Sequence, residues 1–297
     1  MNIRWAIRNE QNRTYPGAHT IQKNGTFGNT TNDSDSGGGG DLIGDPILWD
    51  PSYDPDIFAY YESDSVTLNI DDTTIDVILD KSGNGRHMRP IAPSKRPTRE
   101  LNYVNGQPVL TFTDTGCVTS SSFSFTDLTS VYLVRPPAGQ GATARHIDHL
   151  YNVGFWQGIG PTGDSIGGGV RWTAGSPYGR FNIGAVNAWN INGLRRDATA
   201  GTDISWLNGD FAGGQSGTTS DQLATTSNPV AIGSDTGGNS FCTDTRIPCL
   251  YLFDAAISRD TRVKLEGYIA YKYGQRALLP SDHPYKSTRP YTTDVNN

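Results

Sequence analysis

From Pro46 onward, apolar residues recur at every second position in short runs. Val66, Leu68 and Ile70 alternate in this way, as do Leu110 and Phe112, Val131 and Leu133, Val170 and Trp172, Phe181 and Ile183, Val230 and Ile232, and Cys249, Tyr251 and Phe253. Successive side chains of a strand point to opposite faces, so this period predicts half-buried antiparallel strands. Turn residues separate the runs. Asn208-Gly209 after Ile204-Ser205-Trp206-Leu207, and Asn105-Gly106 before Gln107-Pro108-Val109-Leu110, each predict a two-residue hairpin, because a type I′ turn needs positive φ at both central positions. Strands and helices do not alternate regularly, which argues against a parallel α/β sheet.

The period changes once. From Ser258 to Tyr273 the spacing of Leu265 with Ile269, and of Val263 with Ala270, predicts a helix with one apolar stripe. Ser258 can accept from first-turn amides, Asp260 suits the positive end, and Gly274 is placed to terminate the helix. A lone helix this late in an all-β chain is expected to cover a sheet edge or one end of the sandwich.

Residues 1–45 follow neither period. They are polar, rich in Asn, Thr and Gly, and end in Asp33-Ser34-Asp35-Ser36 and four glycines, the composition of a flexible linker that cannot bury a core of its own. Up to Asn32 they carry four bases and one acid, a net of +3, which leaves −9 on the rest of a chain whose total is −6. Ordering such an arm costs roughly 1–2 kcal/mol per residue in backbone entropy, so a partner surface is expected to hold it. Arg4, Trp5, Arg8 and Arg13 are its candidate anchors to a neighbouring surface or to copies of the chain itself, which makes a homo-oligomer the expected state.

Composition sharpens the fold expectation and narrows the function. The 297 residues include 35 Gly, and only 4 Glu against 26 Asp, a bias towards turns and away from helices. The negative balance excludes general nucleic-acid binding, which displaces counterions from phosphate with excess positive charge. No stretch approaches the roughly 20 apolar residues of a membrane span, and the first residues lack the apolar core of a secretory signal, so no membrane insertion and no export by the usual route are expected. Three cysteines, Cys117, Cys242 and Cys249, are too few and odd in number for a disulfide scaffold, which suits a reducing compartment.

Several motifs now combine. Ile47-Leu48-Trp49-Asp50, Asp80-Lys81-Ser82-Gly83-Asn84-Gly85-Arg86, Arg96-Pro97 and Asn105-Gly106-Gln107-Pro108-Val109-Leu110-Thr111-Phe112 resemble the opening of laminin G-like domains of marine bacterial and bacteriophage proteins. Leu250-Tyr251-Leu252-Phe253-Asp254, Ser258-Arg259-Asp260-Thr261-Arg262, Leu265-Glu266-Gly267-Tyr268-Ile269-Ala270-Tyr271-Lys272-Tyr273-Gly274 and Leu279-Pro280-Ser281-Asp282-His283-Pro284-Tyr285 are similar to that family's closing strand, helix and C-terminal signature. The resemblance implies an all-β, two-sheet antiparallel jelly-roll sandwich of the concanavalin A type over residues 46–285, with one C-terminal helix; the extended arm of 1–45 and a tail of 286–297 lie outside it. Members of the family bind glycans, bind proteins or build particle surfaces. The expected function is therefore a non-catalytic phage virion component, a decoration, head-fibre or tail-appendage protein assembled in the host cytoplasm and displaying a glycan- or protein-binding sandwich. The alternative is a bacterial carbohydrate-binding or glycan-processing protein.

Residues with candidate chemistry are few. Glycosidases of this fold use two close carboxylates on one strand, whereas Glu10, Glu62, Glu100 and Glu266 each stand apart from other Glu, so no enzyme is expected. Gly163-Asp164-Ser165-Ile166-Gly167 spells a nucleophile motif but lacks the strand before and helix after that the motif requires. His146-Ile147-Asp148-His149 offers possible zinc ligands, although nothing nearby completes a site. Calcium is the better-matched cation, and Asp50, Asp54 and Asp56 are its candidate ligands against the competing reading of turn-forming Asp. Among aromatic platforms for a sugar face, Trp172 and Trp206 belong to the alternating core. Trp189 beside Arg195, with Tyr178, forms the candidate surface for host glycans.

Overall fold

The computed structural model describes residues 48–140, 144–149, 154–159, 165–170, 181–216 and 227–292. The arm with Arg4, Trp5, Arg8 and Arg13 lies outside these residues, as do Tyr178 and Trp172.

The described chain is built from strands β1 (Ile57–Leu68), β2 (Ile75–Asp80), β3 (Met88–Pro90), β4 (Thr98–Val104), β5 (Gln107–Phe112), β6 (Cys117–Thr119), β7 (Leu128–Arg135) and β8 (Arg145–His149). They are followed by β9 (Phe155–Ile159), β10 (Ser165–Val170), β11 (Phe181–Ala185), β12 (Asn190–Asp197), β13 (Thr202–Leu207), β14 (Asp210–Ser216), β15 (Ala231–Ile232) and β16 (Thr245–Phe253), and by one helix, α1 (Arg259–Lys272). The strands hydrogen-bond antiparallel in the order β11-β10-β9-β8-β15-β6-β3-β2-β1-β16-β7-β12-β13-β14, with β5 beside β16 and β4 beside β5. This long ladder folds over on itself. Ile147, Phe155, Ile166 and Ile232 from its first half pack in one buried cluster with Tyr132, Leu194, Leu250 and Leu252 from its second. Two antiparallel sheets thus face each other across a common core, the sandwich expected from the alternation.

Both hairpin turns form as their chemistry requires. Asn105 and Gly106 sit at φ +50° and +72° between β4 and β5, and Asn208 and Gly209 at +54° and +95° between β13 and β14. The helix also begins where the caps place it. Ser258 Oγ accepts from Thr261 N at 3.1 Å, and Gly274 adopts φ +66° just past the last turn.

Its location differs from the expectation. Leu265, Ile269 and Ala270 of α1, with Tyr273 that caps its C-terminus, pack on Tyr60, Val131, Leu133, Cys249, Tyr251 and Phe253, which all point away from the inter-sheet core. The helix therefore covers the outer face of one sheet instead of an edge or end. The physical reason lies in the strands. On β16, Cys249, Tyr251 and Phe253 face the helix while Leu250 and Leu252 face the opposite sheet, and β7 divides Val131 and Leu133 from Tyr132 and Val134 in the same way. A strand apolar on both faces needs cover on both. Each fully buried Leu or Ile contributes about 1.5–3 kcal/mol to that docking. One alternation fails: Ile70 lies beyond the end of β1 and is 97% exposed, because Asp71 Oδ1 accepts from Thr73 N and Thr74 N and closes a turn there.

After α1 the chain returns to the start of the domain, where Tyr291 bridges to Leu48 and Trp49 N donates to Pro290 O at 3.0 Å. Among the described residues no helix is long and apolar enough to cross a membrane.

Candidate functional site

The residues singled out from sequence do not converge. Trp189 is half-buried beneath α1's core cluster and meets Tyr103 edge-on at 6.3 Å. Arg195 is six residues further along, or about 20 Å at the rise of a strand, donates to Ile257 O at 3.5 Å and pairs with Asp197 at 3.9 Å. Asp50 Oδ1 accepts from Ser52 N at 2.9 Å and from Tyr60 OH at 3.3 Å, and Asp54 Oδ1 accepts from Asp56 N at 3.0 Å. These are turn and strand contacts, and among the described residues no three His, Cys, Asp or Glu side chains gather as metal ligands. His146 Nδ1 pairs with Tyr132 OH, and burial first, then Arg145, lowers it to about 3. His149 instead reaches Phe123 O and stacks on Phe155. Ser165 opens β10, which pairs with β9 on one side and β11 on the other.

One pair of carboxylates does lie on a single strand, and the sequence reading missed it. Glu62 and Asp64 are two apart on β1 and so share its outer face. Glu62 is fully buried under α1, where Oε1 accepts from Tyr251 OH at 2.7 Å and Tyr268 OH at 3.1 Å. Its Oε2 accepts from Lys272 Nζ at 2.8 Å and from Lys81 Nζ, and Lys272 reaches Asp64 at 2.9 Å as well. Burial by itself would raise the Glu62 carboxyl, but the two ammonium groups outweigh it and hold it at about 2, against an ordinary 4.5. Such a group is a permanent anion with no oxygen open to a substrate. General acid catalysis needs a proton to give, and nucleophilic attack needs a line of approach. This cluster instead ties the helix to the sheet.

Immediately beside it is a pocket of about 310 Å³ lined by Leu48, Trp49, Asn105, Gln107, Tyr268, Tyr271, Lys272, Arg289 and Pro290. Three parts of the chain build it. The strap of Leu48 and Trp49 against Pro290 and Tyr291 forms one wall, the β4–β5 turn another, and the last turn of α1 the floor. Trp49 and Tyr268 meet edge to face at 6.2 Å and 80°. Asn105 Nδ2 donates to Lys272 O at 3.0 Å, so the turn amide also caps the helix. Tyr271 is flanked by the guanidinium groups of Arg276 and Arg289, at 4.9 and 5.7 Å from its ring centre. The site combines aromatic walls, side-chain amides and cations at a volume suited to a small ligand. Of the residues that line it, Tyr268 and Lys272 contact Glu62.

No family model matches the chain, and no curated protein matches it. Solved structures do. The Botulinum neurotoxin serotype D ligand binding domain in complex with N-acetylneuraminic acid is similar at 11% identity and a TM-score of 0.50, over 71% of this chain and 50% of that one. A mutant of HCR/D matches at 13% identity and a TM-score of 0.50, over 70% and 52%. The fold is a concanavalin A-like jelly roll. The chain spans about half the length of the structures it matches, and at such identity the likeness extends to the jelly roll alone.

Proposed function

We propose that this jelly roll is a non-catalytic glycan-binding module and that the pocket at the C-terminal turn of α1 is its site. The observation that carries the reading is the lining itself: Tyr268, Tyr271, the Gln107 amide and the Arg289 guanidinium all border one concavity. Sugars offer just this mixture of apolar ring faces and hydroxyl edges. The serotype D domain of the same fold, whose structure is a complex with N-acetylneuraminic acid, supports the choice of a sugar. The non-catalytic part rests on Glu62, a strand carboxylate of the kind glycosidases use, here ionised and sealed by two lysines. The setting we propose is the virion, with residues 1–45 anchoring the sandwich to other virion proteins or to its own copies. That part rests on the laminin G-like resemblance and on the arm's net charge.

Binding of the purified full chain to a glycan array, followed by titration of the retained sugars, tests the site. Tyr271→Ala is expected to weaken binding at least tenfold, since a stacking or hydrogen-bonded contact of about 1.4 kcal/mol is worth that factor, while the chain still melts cooperatively because the half-buried Tyr271 lies outside the core cluster beneath α1. A chain that retains no sugar, or a Tyr271→Ala variant that binds as well as its parent, sinks the reading. Deletion of residues 1–40 is expected to preserve sugar binding and abolish assembly, as read by sedimentation.

A further inference from the structure

We infer that the ligand of this pocket carries a single carboxylate, held by Arg289. The inference rests on the glycan reading and specifies the class of sugar. The ionisable side chains lining the pocket, tyrosines aside, are two cations, Lys272 and Arg289, and no Asp or Glu, although the chain as a whole is acidic at −6. The two cations are not equivalent. Lys272 Nζ is already shared between Glu62 at 2.8 Å and Asp64 at 2.9 Å. Arg289 is exposed, and among the described residues its side chain makes no hydrogen bond or ion pair and lies over the ring of Tyr271. A guanidinium resting on an aromatic ring keeps its N–H edge free, and that planar edge matches a carboxylate with two parallel hydrogen bonds.

The end of α1 would oppose an anion, because a helix C-terminus carries about half a negative charge. Here its carbonyls are already taken. Asn105 Nδ2 donates to Lys272 O, Gly274 N to Tyr271 O at 3.3 Å and Gln275 N to Ala270 O at 2.7 Å. Among the lining side chains, what remains is one positive charge without an acidic partner, that of Arg289; Arg276, which also approaches Tyr271, does not line the pocket. One such charge matches one carboxylate, as on a uronic acid or a sialic acid, better than a glycan bearing several sulfate or phosphate groups. The sugar ring then lies towards Tyr268 and Tyr271, with Gln107 available to its hydroxyls.

The test is calorimetric titration of the full chain with matched pairs: N-acetylneuraminic acid and its methyl ester, glucuronic acid and its methyl ester, and galactose 6-sulfate with galactose. Each free acid should bind about tenfold or more tightly than its ester, the cost of losing a charged hydrogen bond. Arg289→Gln should erase that preference, Arg289→Lys should restore part of it, and added salt should weaken only the acids. The acid that binds more tightly identifies the sugar. Acid and ester binding alike, a preference that survives in Arg289→Gln, or a sulfate preferred over both acids would each overturn the inference while leaving the glycan reading intact. Failure of every sugar, neutral or charged, would instead remove the glycan reading beneath it. Because Arg289 is exposed and unpaired, both variants should melt with the parent, which keeps a loss of folding from imitating a loss of binding.

Discussion

Replacing Glu62 with Gln should both destabilise the chain and remove a specific pH dependence. Glu62 is held at about 2 in the folded state against an ordinary 4.5, and that difference, at about 1.4 kcal/mol per pH unit, amounts to about 3 kcal/mol. The sign follows from the depression. Stability due to this group is fully present above pH 4.5, where the unfolded carboxyl is ionised too, and is lost as pH falls from there through about 2. Gln keeps the shape and can still accept from Tyr251 OH and Tyr268 OH, but it leaves Lys272 and Lys81 with Asp64 as their remaining anion. Removing one partner of a buried ion pair exposes the uncompensated charges of the rest, and losses of about 3–5 kcal/mol are typical. Urea unfolding at pH 7 and at pH 3 measures both effects. Parent and Glu62→Gln should differ by about 3 kcal/mol at pH 7 and by clearly less at pH 3. Equal midpoints at pH 7, or a gap that does not narrow in acid, would refute the account of Glu62 as the ionised link between β1 and α1.

Two further outcomes follow from the packing. Gly233 sits at φ +79°, and a Cβ there would lie 2.1 Å from Phe112 Cδ1, so Gly233→Ala combines a left-handed backbone with an overpacked core and should cost about 2–4 kcal/mol in urea unfolding; a loss under 1 kcal/mol would contradict it. All three cysteines are buried, and burial pushes the Cys242 and Cys249 thiols up to about 12, with Cys117 raised further, so the native chain should resist a thiol reagent at neutral pH and yield three reactive thiols on unfolding; rapid native labelling would show the core to be open.

The elements that the sequence made legible are those written locally. Asn208-Gly209 needs only its own φ angles to make a turn, and Ser258 needs only the amide three residues on to begin a helix. The helix's place on the outer face was not legible, because Cys249, Tyr251 and Phe253 read as one buried face while the intervening Leu250 and Leu252 are equally buried. Period two reports a half-buried strand and is silent about a strand covered twice. The carboxylate pair escaped for a related reason. Counting Glu residues left Glu62 isolated, yet Asp64 two positions on lies on the same face, and the lysines that neutralise the pair stand 19 and 210 residues from Glu62.

The pocket shows why a motif can be read correctly for fold and still hide a site. Trp49, Asn105, Gln107, Tyr268, Tyr271 and Lys272 all belong to the segments that carry the laminin G-like resemblance, and the structure gives some of them structural duties. Asn105 turns the hairpin and caps α1, Trp49 is buried against Tyr268, and Lys272 neutralises Glu62 and Asp64. Those residues fix the shape of the pocket because the fold needs them. Gln107 and Arg289 make no side-chain hydrogen bond or ion pair among the described residues, and Tyr271 is approached by the guanidinium groups of Arg276 and Arg289. On the proposed reading, discrimination between ligands therefore falls to residues whose replacement should leave the jelly roll unchanged. Such a site, on that proposal, would exchange one ligand for another through Gln107 and Arg289, on a scaffold held in place by Glu62 and its lysines.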